Sequence, residues 1–257
     1  KLLPASSGCD SGRLMGNGMG FAHRLGGALA PENTLAGLLL AHRLGVTAVE
    51  CDVQLSADGV AVIAHDAELE RTTSGNGALA AHAAAELLQL DAGRHHHPAF
   101  AGEALPSLQQ LAATLRRLGM AVNLELKPDA DARRMGQLCA VQIRQHWQGA
   151  ALLPLVSSFS AEALAGVREA APELPRALLV EELNPALVAQ AQALGCRALH
   201  VCHRALSAAW VAQLHGLGLA VMAWTVNQPQ EMQRLRQWGV DMLCSDRPDR
   251  FDPAWAA

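Results

Sequence analysis

The sequence predicts a (β/α)8 barrel, an α/β fold of parallel strands each followed by a helix, and three observations carry that expectation. Short apolar runs suited to strands alternate with amphipathic stretches suited to helices along most of the chain. Eight such strands can be counted, beginning at Met19, Val46, Ala121, Leu153, Arg176, Arg197, Leu219 and Val240. Polar residues cluster at their C-terminal ends, where the loops of a barrel collect its chemistry. His23 and Arg24 end the first strand, Glu50 and Asp52 the second, and Glu125 and Lys127 the third. Ser157 and Phe159 end the fourth, Trp224 and Asn227 the seventh, and Asp246 the eighth. A doubly wound open sheet is the alternative fold, but no G-x-G-x-x-G follows the first strand.

Residues 1–18 are rich in Gly and Ser, lack strand or helix periodicity and carry no apolar signal-like run, so they read as a tail or expression remnant. Residues 19–257 read as a single barrel domain. After the strand at 19–22, Asn33 or Thr34 can cap a helix that runs to about Leu44 and ends at Gly45. Residues 46–66, VTAVECDVQLSADGVAVIAHD, read as a strand, a turn at Asp58-Gly59 and a returning strand from Val60. Folding about that dipeptide gives a pairing sum near 117 and sets His65 opposite Asp52. The periodicity weakens over an inserted segment at about 67–106, with a polar loop at 71–77, a helix within 78–90 and a loop holding His95, His96 and His97. Regular alternation then resumes. Helices are expected at 108–118, 131–147, 161–171, 185–194, 207–216 and 229–238, and strands at 121–127, 153–158, 176–181, 197–203, 219–226 and 240–245.

Composition narrows the function classes. Half the chain is apolar (51%), enough for a sizeable core, and a net charge of −4 leaves no global basic footprint for nucleic acid. No apolar run approaches the ~18 residues of a membrane span, so no membrane insertion is expected. The six cysteines include no C-x-x-C pair, which fits a reducing compartment and a cytoplasmic location.

On a strand, residues i and i+2 share a face, so Glu50 converges with Asp52, and Asn123, Glu125 and Lys127 line up likewise. Three carboxylates are hard oxygen ligands suited to Mg²⁺, Ca²⁺ or Mn²⁺ rather than zinc, and without a cation they would repel. Arg24 and Lys127 add fixed positive charge for an anionic substrate. Phosphoryl transfer needs such charge, together with a base for the nucleophile and an acid for the leaving alkoxide. His23 and His65 suit those two roles. Plainer readings stand beside these. Arg24 can pair with Glu32, Lys127 can cap the rim, Trp224 can be core or a substrate platform, and Asp246 can be a loop cap or a site residue. His95–His97 read as solvated loop, and His42, His82, His146, His200, His203 and His215 carry no motif.

In combination these pieces resemble the glycerophosphodiester phosphodiesterase family. The resemblance runs through His23-Arg24, Pro31-Glu32-Asn33-Thr34, Glu50-x-Asp52, Asp58-Gly59, His65-Asp66, Arg71-Thr72-Thr73, Glu125-x-Lys127, Ser157-Ser158-Phe159, Trp224-Thr225-Val226-Asn227 and Ser245-Asp246-Arg247-Pro248. It implies a barrel enzyme that hydrolyses glycerophosphodiesters to an alcohol and glycerol 3-phosphate. Carried over, it makes Glu50, Asp52 and Glu125 metal ligands, His23 and His65 the acid–base pair, Arg24 and Lys127 phosphate contacts, and Trp224 a wall for the glycerol or leaving group. It also implies attack by the neighbouring glycerol hydroxyl, followed by hydrolysis of a cyclic phosphate. One departure is Leu25, which stands where the family has glycine after His-Arg and is expected to adjust the loop or narrow the entrance. Two alternatives keep the barrel: a lysophospholipase D-type enzyme acting on lipid, which would need apolar loops, and an inactive phosphodiester-binding barrel, which would need no proton donors.

Overall fold

Parallel strands close on themselves because β1 (Met19–Ala22) pairs on one side with β2 (Ala48–Leu55) and on the other with β9 (Met242–Ser245). Between those two neighbours run β4 (Ala121–Leu126), β5 (Leu155–Ser158), β6 (Arg176–Val180), β7 (Ala198–Cys202) and β8 (Ala220–Trp224), each parallel to the next. One further strand, β3 (Ala61–Ile63), lies antiparallel on β2 outside the barrel. The (β/α)8 expectation is correct. This computed structural model describes residues 18–128, 130–252 and 255; the proposed tail, apart from Gly18, lies outside the described residues.

Helices α1 (Leu35–Arg43), α3 (Leu108–Leu118), α4 (Ala132–His146), α5 (Ala161–Ala170), α6 (Pro185–Ala193), α7 (Ala208–Gly216) and α8 (Pro229–Gln237) surround the barrel, and a single turn, α2 (Ala84–Leu87), sits in the segment after β3. Their starts follow from capping chemistry. Thr34, Ser107, Asp131, Ser160, Asn184 and Ser207 each accept a backbone N–H of the first turn, which satisfies donors the helix itself leaves free. Thr34 rather than Asn33 caps α1, so Asn33 is left for another task.

Side-chain alternation of period two decides what fills the barrel. Its lower interior holds Phe21, Ala48, Ala121, Leu155, Ala177, Ala198, Met222, Met242 and Cys244 in one packed cluster. Alanines on four of these strands leave the room that Phe21 and the methionines occupy. Two residues further along, the same inward alternation turns polar on β2 and β4. That upper layer is the mouth.

Two local expectations need correction. The hairpin pairs Val53 with Ile63 and Leu55 with Ala61, and Ala64 N–H donates to Asp52 O at 3.0 Å, so Ala64 and not His65 stands across from Asp52. Its loop has three residues between Ser56 and Val60, not two. Gly59 takes the left-handed position at φ 76°, while Ser56 Oγ receives Val60 N–H at 2.9 Å. His65 nevertheless reaches the mouth because β3 stops at Ile63 and the chain bends. Gln54 Nε2 holds that bend by donating to Ala64 O at 3.2 Å and Asp66 O at 2.5 Å.

The helix expected within 78–90 is broken into a 3-10 turn at Leu79–Ala81 and the short α2. Alanine-rich sequence favours helix, but it buries little, and Ala57 N–H captures His82 O at 2.8 Å while Ala83 stays extended. The segment packs instead around Val62, Ala64, Leu69, Leu79, Leu87, Ala92 and Leu105. Strands also begin slightly later than the sequence suggests, at Ala48, Leu155 and Met242. No helix among the described residues is long and apolar enough to cross a membrane.

Candidate active site

Parallel pairing of β2 with β4 sets Glu50 beside Asn123 and Asp52 beside Glu125. The inward face of two adjacent strands therefore carries three acids and an amide. One oxygen from each of Glu50, Asp52 and Glu125 can be chosen so that all lie within 4.8 Å of one another. All three side chains are buried. Asp52 Oδ2 accepts from Asn33 Nδ2 at 2.9 Å, and Asn33 Oδ1 accepts Asp52 N–H at 3.2 Å. Asn33 makes this two-point grip from a left-handed backbone, φ 57°, a conformation asparagine tolerates better than most residues. Glu50 Oε2 accepts Arg24 N–H at 2.9 Å, whereas Glu50 Oε1 is buried with no partner.

Electrostatics make this cluster expensive. Burial, then repulsion from Asp52, pushes the Glu50 carboxyl up to about 8. Burial and the Asp52 charge also raise Glu125, against the pull of Lys127. A buried, mutually repelling set of carboxylate oxygens with one oxygen unpartnered is the donor set a hard divalent cation takes. The residues fit such an ion.

The two histidines sit at either side of this cluster, each held through Nδ1. His23 follows β1, with Nδ1 2.6 Å from Asp246 Oδ1 and Nε2 3.8 Å from Glu50 Oε2. Asp246 is itself clamped by Asn227, whose Nδ2 donates to Oδ2 at 2.9 Å and whose Oδ1 accepts Asp246 N–H at 2.9 Å. Burial alone would lower the His23 pKa, but the Asp246 hydrogen bond and the Glu50 charge outweigh it and raise it. His65 Nδ1 lies 2.7 Å from Asp66 Oδ1. Asp66 binds Arg71, Arg71 reaches both oxygens of Glu32 at 2.9 and 2.7 Å, and Glu32 accepts Arg24 Nη1 at 2.9 Å. The Arg71 hydrogen bond, against a small cost of burial, brings the Asp66 carboxyl down to about 2.

Cations close the ring. Lys127 Nζ donates to Glu125 Oε1 at 2.8 Å and stands 3.6 Å from Asp52 Oδ1 and 3.4 Å from His65 Nε2. Arg24 pairs with Glu32, as its plainer reading holds, yet its Nε is also 3.7 Å from Asp52 Oδ2 and has no hydrogen bond.

Leu25 keeps φ 73° without glycine, and its side chain turns fully into the core while its N–H donates to Glu50 O at 2.8 Å. It therefore does not narrow the entrance. The strain of that turn, generally about 1–3 kcal/mol, is offset by burying a leucine.

All eight residues singled out in the sequence (His23, Arg24, Glu50, Asp52, His65, Glu125, Lys127 and Trp224) line one cavity of about 160 Å³. Its opposite wall is Phe159, Leu179, His200, Met222 and Trp224, while Cys244 Sγ stands on the acidic side, within 4.8 Å of a His23 nitrogen and a Glu50 oxygen. The Phe159 ring meets Trp224 edge-on, centroids 5.6 Å apart. Among the described residues seven buried side-chain polar atoms lack a hydrogen-bond partner, and those of Arg24, Glu50, Asn123, His200 and Trp224 all belong to this wall or its acidic counterpart. Sequence reasoning missed Asn33, Asp66 and Arg71 as supports and gave His200 no role. It left Asp246 between a cap and a site residue, and its bond to His23 places it at the site. The signal for Asn33 was available: Thr34 already suffices as the cap.

Comparison with known proteins agrees with the barrel fold. Residues 23–250 match the model of the glycerophosphoryl diester phosphodiesterase family. A glycerophosphodiester phosphodiesterase of Caldanaerobacter subterraneus is 30% identical over 240 residues, covering 89% of this chain and 94% of that protein. One from Bacillus subtilis is 30% identical over 245 residues, covering 90% of this chain and 84% of its own length. Among solved structures, an Oleispira antarctica phosphodiesterase in complex with the product sn-glycerol 3-phosphate is 34% identical, with a TM-score of 0.88 over 94% of this chain and 98% of that one. With the match beginning at His23 and spanning every strand of the barrel after β1, this chain belongs to the glycerophosphoryl diester phosphodiesterase family and is a phosphodiester hydrolase.

Proposed function

We propose that the chain hydrolyses glycerophosphodiesters to an alcohol and glycerol 3-phosphate, using one divalent cation held by Glu50, Asp52 and Glu125. The observation that carries the finer reading is the pair of histidines flanking those carboxylates, each with Nδ1 engaged by its own aspartate. Nδ1 is thereby committed, and Nε2 of each ring is the atom left to exchange a proton at the cavity. Mg²⁺, Ca²⁺ or Mn²⁺ would serve with this all-oxygen donor set. When bound, the cation supplies Lewis-acid stabilisation of charge on the phosphoryl oxygens.

The chain's own residues do the rest. Lys127 and Arg24 hold the phosphate through their positive charge. One histidine takes the proton of the glycerol 2-hydroxyl as its oxygen attacks phosphorus. The other protonates the departing alkoxide as its P–O bond breaks, releasing the alcohol and leaving a cyclic phosphate. Water then opens the ring with the proton transfers reversed, giving glycerol 3-phosphate. General acid–base help of this kind is worth about 10²–10⁴ in rate. Asp246 and Asp66 keep the rings oriented, and Asp246 also raises the basicity of His23.

The test uses glycerophosphocholine, lysophosphatidylcholine and a matched diester lacking the 2-hydroxyl. Hydrolysis of the first alone, lost with a chelator and restored by a divalent ion, is the expected result. Turnover of the hydroxyl-free diester would exclude the cyclic route, and preference for the lipid would favour a lysophospholipase D activity instead. Ligand binding with no hydrolysis under any divalent ion would mark an inactive phosphodiester-binding barrel. The cavity's small volume, below the ~300–1,000 Å³ of sites for drug-sized ligands, favours the water-soluble diester.

A further inference from the structure

His200 lies on β7, flanked in the sheet by Leu179 of β6 and Met222 of β8, and its side chain lines the catalytic cavity. It is 1% exposed, and its Nε2 has no hydrogen-bond partner. No carboxylate is bonded to it, so burial drives its pKa down to about 3 and the ring stays neutral at any working pH. A neutral imidazole offers one donor and one acceptor. Buried side-chain nitrogens without partners are uncommon in folded proteins, and one on a cavity wall is matched by whatever enters that cavity.

The rest of the wall says what that is. Leu179, Met222 and Phe159 present apolar surface, while the phosphate-binding and proton-moving groups stand on the other side. A glycerol phosphate placed with its phosphate and 2-hydroxyl toward the carboxylates turns its carbon chain, and the remaining terminal hydroxyl, toward β6–β8. We propose that His200 Nε2 is the hydrogen-bonding partner of that terminal hydroxyl and makes the pocket select a free, unacylated glycerol end. The inference rests on the glycerophosphodiester reading above and deepens it. An ester at the same oxygen keeps no hydrogen to donate to the imidazole.

The experiment measures binding, so that it stands apart from turnover. Full-length protein loaded with Mg²⁺ is titrated by calorimetry with sn-glycerol 3-phosphate and with 2-hydroxypropyl phosphate, which lacks only the terminal hydroxyl. Wild type is expected to prefer the glycerol compound by about ten- to a hundredfold, because the analogue leaves the buried nitrogen unmatched. His200→Leu should bring the two affinities within about twofold by weakening the glycerol compound alone, with its melting temperature kept or raised. His200→Gln, which retains a donor and an acceptor, should keep part of the preference and gives the same readout should the leucine variant not fold. Equal affinities in wild type, or an undiminished preference in His200→Leu, would overturn the assignment. A preserved preference in a protein that hydrolyses no glycerophosphodiester would instead sink the catalytic reading and leave His200 in place.

Discussion

The two walls of the cavity are built by one rule and reach opposite chemistry. Inward positions on β2 and β4 carry Glu50, Asp52, Asn123 and Glu125, whereas inward positions on β6, β7 and β8 carry Leu179, His200 and Met222. The charged wall is costly to fold. It is held by Asn33, by the Arg24 backbone and by Lys127, and still leaves a carboxylate oxygen unpartnered. Its neutral counterpart needs no such scaffold, because apolar side chains pack without hydrogen bonds, and His200 Nε2 and the Trp224 indole N–H have no partner in the fold. The difference separates two jobs. On the proposed function, charge handling sits where strands can be braced by hydrogen bonds, and fit to the substrate sits where they need no bracing.

That division is broken or upheld most sharply at the histidines. His65→Ala should lower kcat by about 10²–10⁴ while the divalent ion still binds, since His65 touches Lys127 and Asp66 but none of the three carboxylates. A steady-state assay paired with metal titration reads both quantities. Loss of metal binding in this variant would mean that the ring belongs to the ion's support and not to proton transfer.

How much of this was readable beforehand follows the range of the interactions. The barrel, the three acids, both histidines and the cations were legible because strand alternation and position at strand ends are local patterns. What escaped depends on long-range contact. Asp246 meets His23 across 223 positions, and Asn33 grips Asp52 from a separate loop, so no window of sequence contains either pair. The hairpin register failed by one residue because Asp58-Gly59 serves a three-residue loop as readily as a two-residue one. His200 was passed over since a histidine inside an apolar strand has no motif; only its orphaned nitrogen on the cavity wall distinguishes it.

A second test weighs the charged wall's electrostatic cost directly. In the metal-free protein the Glu50 carboxyl, held near 8 against an ordinary 4.5, keeps a proton that the unfolded chain releases. The folded state then binds more protons than the unfolded one, so stability falls as pH rises from about 4.5 toward 8. The loss is on the order of a few kcal/mol. Thermal melts with chelator should drop across that window, and the gain from added Mg²⁺ should widen with pH. Glu125→Ala should flatten the chelator series and weaken Mg²⁺ affinity by more than about a hundredfold, as removal of a ligand costs at least what loss of a supporting partner does. A chelator series already flat in the wild type would mean that the acids do not strain the fold.

The smallest effect is expected from the neutral wall, and its kind matters more than its size. Phe159 is 42% exposed at the end of β5, and its ring meets that of Trp224 edge-on. Phe159→Ala removes an aromatic pair worth about 0.5–1.5 kcal/mol and frees the Trp224 ring to move. Because the proposed mechanism gives neither ring a contact with the phosphate or with a proton in flight, KM for glycerophosphocholine should rise about three- to tenfold with kcat held within twofold. Such a change is the signature of binding lost equally from ground and transition states. A fall in kcat with KM unmoved would place Phe159 in contact with the reacting atoms. The two walls would then share the chemistry that their composition divides between them.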